Sequence, residues 1–144
     1  MVRTVLAVAV LALGATALIA QTDPIKARKD LMEANGKQSK LGNDMVQGKQ
    51  PFNLDAAKKV FATFQESGEK EPALFPDDSK TGKTAALPAV WENKADFDAK
   101  FAKLASDSKA AIDATKDLDT FKAQFSVVSK NCGGCHQTYR KKET

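Results

Sequence analysis

The strongest constraint on the fold is a regular apolar stripe near the C-terminus. Between residues 118 and 139 apolar side chains recur at steps of three and four, as on one side of an α-helix. They are Leu118, Phe121, Phe125, Val128, Cys132, Cys135 and Tyr139. This pattern predicts a long amphipathic helix whose inner face includes both cysteines of the chain.

Three further segments show helical spacing, whereas alternating strand-like segments are nearly absent. They run over about residues 24–46, 53–67 and 88–116. Asp23 and Asn53 are suited to cap the first two helices, and Gly48 and Gly68 to end them. Four amphipathic helices with one long connection predict an all-α fold, an antiparallel four-helix bundle.

The first predicted helix carries small and apolar residues along one side. We expect the inward side to consist of Ala27, Leu31, Ala34, Leu41 and Met45. Met32 flanks this stripe. The long connection over residues 68–87 is rich in charged residues, and we assign it no function.

The first twenty residues differ from the rest of the chain. Arg3 precedes a run of sixteen apolar and small residues, Val5 to Ala20, which is shorter than the roughly 20 residues that span a membrane. We therefore predict a secretory signal peptide over residues 1–20, cleaved after Ala17 or Ala20, and a mature domain over residues 21–144. An uncleaved membrane anchor is the alternative. Export places the mature protein in the periplasm.

The charge balance is weakly basic. The whole chain has a formal net charge of +4, and loss of Arg3 with the signal peptide leaves 21 basic against 18 acidic residues. That excess is too small to indicate a nucleic-acid partner. Arg140, Lys141 and Lys142 concentrate part of it beside the cysteines, where they could attract an acidic redox partner.

The sequence NCGGCHQTYRKK, from Asn131 to Lys142, holds both cysteines and the chain's one histidine. Three chemistries use such a motif. The cysteine pair could be a redox disulfide, as in thioredoxin-like proteins. Two thiolates and an imidazole could bind zinc. Two thiols could also anchor a haem by thioether bonds, with His136 as the iron ligand.

The surrounding sequence favours haem. A thioredoxin-like site would need a strand before the motif and a βαβ pattern around it. A structural zinc site would need four ligands, and Cys135 and His136 point about 100° apart on a helix. The spacing of Cys132 and Cys135 suits two vinyl groups on one edge of a porphyrin, and the two glycines between them leave room for the ring.

The chain resembles the class II cytochromes c, the cytochrome c′ family. The resemblance covers the whole mature part. It rests on CGGCHQTYRKK at the end, PAVWENKADF at the start of the third helix, Arg28 and Met32 in the first helix, and MVQGKQPFN from Met45 to Asn53. It implies a four-helix bundle with one covalently bound haem c near the C-terminus.

The resemblance also suggests the iron ligands. Members of this family usually leave the sixth iron position empty, blocked by an apolar residue four after an arginine and sixteen before a glycine. Arg28, Met32 and Gly48 have this spacing, so a methionine occupies that position. The chain thus resembles the low-spin branch, in which His136 and Met32 both ligate iron. Unbonded packing of Met32 over the haem is the alternative.

Other family roles follow from the same resemblance. Arg28, assisted by Lys29, is expected to pair with a haem propionate, and Arg140 to reach a propionate or the haem edge. The function implied is outer-sphere transfer of single electrons by a periplasmic monohaem carrier that is not an enzyme. A five-coordinate cytochrome c′ that binds nitric oxide or carbon monoxide is the alternative.

The partners implied are the cytochrome c maturation machinery and unidentified redox proteins. No membrane contact is expected after signal removal. The protein is expected to be a monomer or a homodimer formed through the first two helices.

Overall fold

The computed structural model describes residues 23–142, and the predicted signal peptide over residues 1–20 lies outside them. The helices are α1 (Pro24–Val46), α2 (Leu54–Lys70), α3 (Ala89–Glu92), α4 (Lys94–Ala114) and α5 (Leu118–Tyr139). Two 3-10 turns, Glu71–Leu74 and Asp77–Ser79, lie in the long connection. The four long helices form the bundle, and α3 is a single turn ahead of α4.

Side-chain caps begin the long helices where the sequence predicts them. Asp23 accepts hydrogen bonds from the backbone N–H groups of Ile25 and Lys26, and Asn53 accepts one from Ala56. These bonds satisfy donors that have no partner inside a helix. Gly48 has φ of +70°, the left-handed conformation that commonly ends a helix.

Contacts between neighbouring helices show that they run antiparallel. On α1 and α2, Asn35 donates to Ser67 at 2.7 Å. On α4 and α5, Tyr139 donates to Asp96 at 2.5 Å and Asn131 to Asp107 at 2.8 Å, so the residue number rises on one helix as it falls on the other. The predicted all-α antiparallel four-helix bundle is confirmed.

Two predicted helix ends are wrong. Helix α2 continues through Gly68 to Lys70, because Gly68 has a packing role: a Cβ there would lie 2.7 Å from the backbone nitrogen of Ala105 on α4. The predicted helix over residues 88–116 is interrupted at Asn93, whose φ of −123° and ψ of 46° leave the helical region, and it ends at Ala114.

The main core lies in the half of the bundle away from the motif. Its aromatic members Phe61, Phe64, Phe121 and Phe125 are at most 5% exposed. On α1 only Met45 of the predicted inward residues is buried. The N-terminal half of α1 is rotated relative to that prediction, since Met32, Asn35 and Ser39 face the interior space described below. No helix within residues 23–142 is long and apolar enough to cross a membrane.

Candidate functional site

A cavity of about 560 Å³ lies between the N-terminal halves of α1 and α4, the C-terminal half of α5 and the long connection. Much of its wall is apolar and aromatic. All seven residues that the sequence singles out line it: Arg28, Lys29, Met32, Cys132, Cys135, His136 and Arg140. Its volume is within the range of roughly 300–1,000 Å³ typical of small-molecule and cofactor sites.

The two cysteines are half-buried free thiols on the cavity side of α5. Burial raises the pKa of Cys132, and it raises the pKa of Cys135 to about 11. Redox-active C-x-x-C sites have the opposite property, a lowered thiol pKa that supplies the reactive thiolate. The electrostatic setting is therefore that of two neutral thiols facing an apolar space.

His136 is also half-buried and lines the same cavity. Burial is the main cause that lowers its pKa, and the positive charge of Arg140 adds to the effect. Both favour the neutral imidazole, which is the form that ligates metals. Within the described part of the chain, no group of three or more His, Cys, Asp or Glu side chains could hold a metal ion.

Met32 reaches the cavity from α1, opposite the helix that carries His136. Its Sδ lies 4.0 Å from Asn35 Nδ2, and the Asn35 amide is fixed by its bond to the Ser67 hydroxyl. Met45, which is 2% exposed, packs in the main core and does not line the cavity. Met32 is therefore the methionine that can face a group held by α5.

Arg28 is 5% exposed and is engaged by the long connection. Its Nη1 donates to Leu74 O and Ser79 Oγ, both at 3.0 Å. Its Nη2 donates to Ser79 O at 3.1 Å and to Thr84 Oγ1 at 2.6 Å. The guanidinium also lies 4.5 Å from the centre of the Phe75 ring. Sequence reasoning missed this role of Arg28 and left the connection without a function.

The other two predicted propionate partners lie at the cavity mouth. Lys29 and Arg140 are both exposed. Arg140 pairs with Ala86 in an isolated antiparallel β-bridge, and Lys141 N donates to Ala85 O at 2.8 Å. These contacts hold the two residues after α5 against the long connection. The contacts of Arg28, Lys29 and Arg140 with a propionate stay predictions.

Aromatic side chains form one wall of the cavity. Phe97 makes edge-to-face contacts with Phe75, Phe101 and Tyr139 at centroid distances of 4.7 to 5.2 Å. The Tyr139 hydroxyl donates to Asp96, and this bond is the main cause that raises the pKa of Tyr139 to about 12. The phenol thus keeps its proton, and the wall presents flat apolar surface.

Glu71 is a residue of the cavity that sequence reasoning missed. Glu71, at the start of the 3-10 turn after α2, is 0% exposed, and neither carboxyl oxygen accepts a hydrogen bond of normal geometry. Burial raises its pKa to about 8. The sequence around it, GEKEP over residues 68–72, has the composition of a solvated charged segment. Nothing in this sequence indicates that one of its acids is buried.

These residues fit a covalently held haem. Two neutral thiols and a neutral imidazole lie on one helix beside an apolar cavity with an aromatic wall. A Cβ added at Gly133, Gly134 or Gly36 would meet no atom within 4 Å, so the backbone of α5 and α1 leaves space there. The Glu71 carboxyl is a fully buried acid in this lining.

Comparison with known proteins decides the family. The model of the family described as cytochrome C′ matches residues 23–140. The chain belongs to the cytochrome c′ family. The predicted family is therefore confirmed, and with it the cofactor, covalently bound haem c, for which Cys132 and Cys135 form a fitting attachment site.

Two curated relatives come from Rhodopseudomonas palustris (strain ATCC BAA-98 / CGA009). A cytochrome c′ is 42% identical over 133 residues, covering 92% of this chain and 91% of the relative. A cytochrome c-556 is 33% identical over 148 residues, covering 99% of each. The solved structure of cytochrome c′ from Rhodopseudomonas palustris aligns with a TM-score of 0.82 and 42% identity, covering 86% of this chain and all of that one.

Proposed function

We propose that this cytochrome c′ family member is a periplasmic carrier of single electrons, with His136 and Met32 as the two axial ligands of one haem iron. The observation that carries the proposal is the position of Met32, in the same cavity as His136 and on the opposing helix. Similarity to cytochrome c-556 fits this low-spin assignment.

The haem supplies one-electron chemistry, since its iron alternates between the ferric and ferrous states. Cys132 and Cys135 would hold it on α5 by thioether bonds. His136 offers a neutral imidazole without prior loss of a proton. A Met32 thioether in the sixth position would raise the reduction potential and leave no open position for a gas. The Phe75, Phe97 and Phe101 rings give the site an apolar wall.

The cavity holds no arrangement for covalent or acid–base catalysis of a substrate, and we propose that the protein is not an enzyme. Lys141 and Lys142 are exposed beside the mouth and would attract an acidic redox partner. The signal peptide over residues 1–20, export to the periplasm and haem attachment by the cytochrome c maturation machinery belong to the same proposal. So does assembly as a monomer or as a homodimer through α1 and α2.

A five-coordinate, gas-binding cytochrome c′ is the second candidate. The 42% identity to a cytochrome c′ supports it, because this identity is higher than the 33% identity to the cytochrome c-556. In this case Met32 packs in the cavity without bonding, as methionine does in irregular cores.

An optical spectrum of the reduced holoprotein separates the two candidates. We expect sharp low-spin α and β bands that carbon monoxide leaves unchanged. Met32→Ala should convert this spectrum to a broad high-spin one that shifts with carbon monoxide. Met45→Leu is the matched control, since Met45 lies in the core outside the cavity, and it should keep the wild-type spectrum. A Met32→Ala protein with wild-type bands would rule out Met32 as a ligand.

A further inference from the structure

The Glu71 carboxyl is the most unusual group in the described part of the chain. It lies at the junction of α2 and the 3-10 turn, fully buried, in the wall of the haem cavity. Neither oxygen receives a hydrogen bond of normal geometry, although the Ser67 hydroxyl lies close enough to oppose the pKa shift. A buried carboxylate without partners is costly, and such a group lowers the cost by binding a proton.

No neighbouring cation neutralises Glu71. Arg28 is the charged residue that stabilises its carboxylate form, but both terminal nitrogens of Arg28 donate to the connection over residues 74–84. Because burial outweighs the Arg28 charge, the net shift favours the protonated acid. Glu71 therefore has the properties of a proton-binding site and not those of one half of a buried ion pair.

Charged and titratable groups from the elements packed around this turn line the same cavity as Glu71. Helix α1 contributes Arg28 and, at the mouth, Lys29 and Glu33; helix α4 contributes Lys100; helix α5 contributes Cys135, His136 and Arg140. Helix α2 contributes the neutral Ser67. The Cys135 thiol, which senses the Glu71 charge, would be consumed by haem attachment. Glu33, the other acid in the lining, is exposed at the mouth, which leaves Glu71 as the buried acid of the cavity.

A change of charge in this cavity would act strongly on Glu71. Electrostatic interactions in a site shielded from water are several times stronger than in solvent. One electron added to the cavity increases its negative charge by one, and this favours the neutral form of a nearby acid. The cavity mouth, with exposed Lys29 and Glu33 in its lining, gives a proton a route from solvent.

We propose that Glu71 takes up one proton from solvent when the bound haem gains one electron, so that the protein carries a proton together with the electron. In the balanced step, a one-electron donor is oxidised, ferric haem becomes ferrous haem, and the Glu71 carboxylate becomes the carboxylic acid. Oxidation by the acceptor returns the proton to water. This inference rests on the proposed function only in requiring that the bound haem changes oxidation state.

The test is a spectroelectrochemical titration of the holoprotein between pH 5 and pH 9. In the wild type we expect the midpoint potential to fall as pH rises, with a slope approaching 59 mV per tenfold change in proton concentration over the pH range in which Glu71 is a carboxylate in the oxidised protein and an acid in the reduced protein. Glu71→Gln should remove most of this slope. Glu69→Gln, which removes an exposed carboxylate two residues earlier, should retain it.

A second measurement does not depend on a variant. Reduction of the wild-type holoprotein near pH 8 should produce an infrared difference band of a protonated carboxyl group, which shifts on labelling glutamate with ¹³C. A wild-type slope in Glu71→Gln, or no labelled carboxyl band in the wild type, would overturn the proposal. The optical spectra of the same samples report the axial ligands, so failure of the His136/Met32 assignment is seen separately.

Discussion

Replacement of Arg28 should loosen the long connection before it affects the haem. The two terminal nitrogens of Arg28 make four hydrogen bonds, to Leu74 O, Ser79 Oγ, Ser79 O and Thr84 Oγ1, and the two to Ser79 are buried. Arg28→Met leaves these acceptors without a donor. A buried polar group without its partner costs about 1–3 kcal/mol. With two buried acceptors, we expect the free energy of unfolding to fall by about 2–5 kcal/mol.

Arg28→Lys distinguishes this role from pairing with a propionate. Lysine keeps the positive charge, but its single ammonium cannot reproduce the planar fork of donors that Arg28 directs at the connection. We therefore expect Arg28→Lys to lose about 1–3 kcal/mol, because one buried acceptor stays unsatisfied. The neighbouring Lys29→Met, which changes an exposed charge, should stay within about 0.5 kcal/mol of the wild type.

Guanidinium denaturation of the holoprotein gives these free energies, and amide hydrogen exchange locates the effect. Faster exchange should be confined at first to residues 74–84. If Arg28→Lys matched the wild type in both measurements, then the positive charge alone would account for the role of Arg28, and the anchoring role inferred from the four hydrogen bonds would be refuted.

Two further predictions concern stability. Because burial raises the Glu71 pKa from 4.5 to about 8, the folded chain holds a proton that the unfolded chain has released, so the free energy of unfolding should fall as pH rises between these values. The loss should reach about 3 kcal/mol between pH 5 and pH 8, measured by denaturation, and a Glu71→Gln protein that lost as much would contradict it. Gly68→Ala should destabilise by about 1–3 kcal/mol, since the added Cβ meets the Ala105 backbone at 2.7 Å. Glu69→Ala, which changes an exposed neighbour on the same helix, should stay within about 0.5 kcal/mol of the wild type; equal thermal melting of the two variants would refute the close-packing argument.

The elements that depend on local sequence could be predicted. Asp23 and Asn53 cap helices as expected, because a side-chain acceptor before an amphipathic segment satisfies the first N–H groups wherever the helix lies. The α5 stripe places Phe121, Phe125 and Val128 in the core because its spacing matches the helical period over the whole segment. The C-G-G-C-H motif also identified the cofactor from local sequence, because the residues that attach the haem and bind its iron lie within five consecutive positions.

The features that depend on tertiary packing could not be predicted. Gly68 reads as a helix end, yet it permits the close approach of α2 and α4. The cavity side of α1 carries polar Asn35 and Ser39, so a search for apolar residues chose the adjacent side of that helix. Glu71 lies in a charged segment, and only the surrounding helices remove it from water.

The anchoring of Arg28 links two parts of the molecule that are far apart in the chain. Arg28 lies one helical turn before Met32 on α1, and its guanidinium is held by residues 74–84. Residues 74–84 thereby help to fix the position of α1 along its axis, and with it the position of the Met32 sulfur relative to α5. With Met32 as the proposed iron ligand, cutting or loosening that segment would change the colour of the protein, although none of its residues belongs to the predicted ligand set.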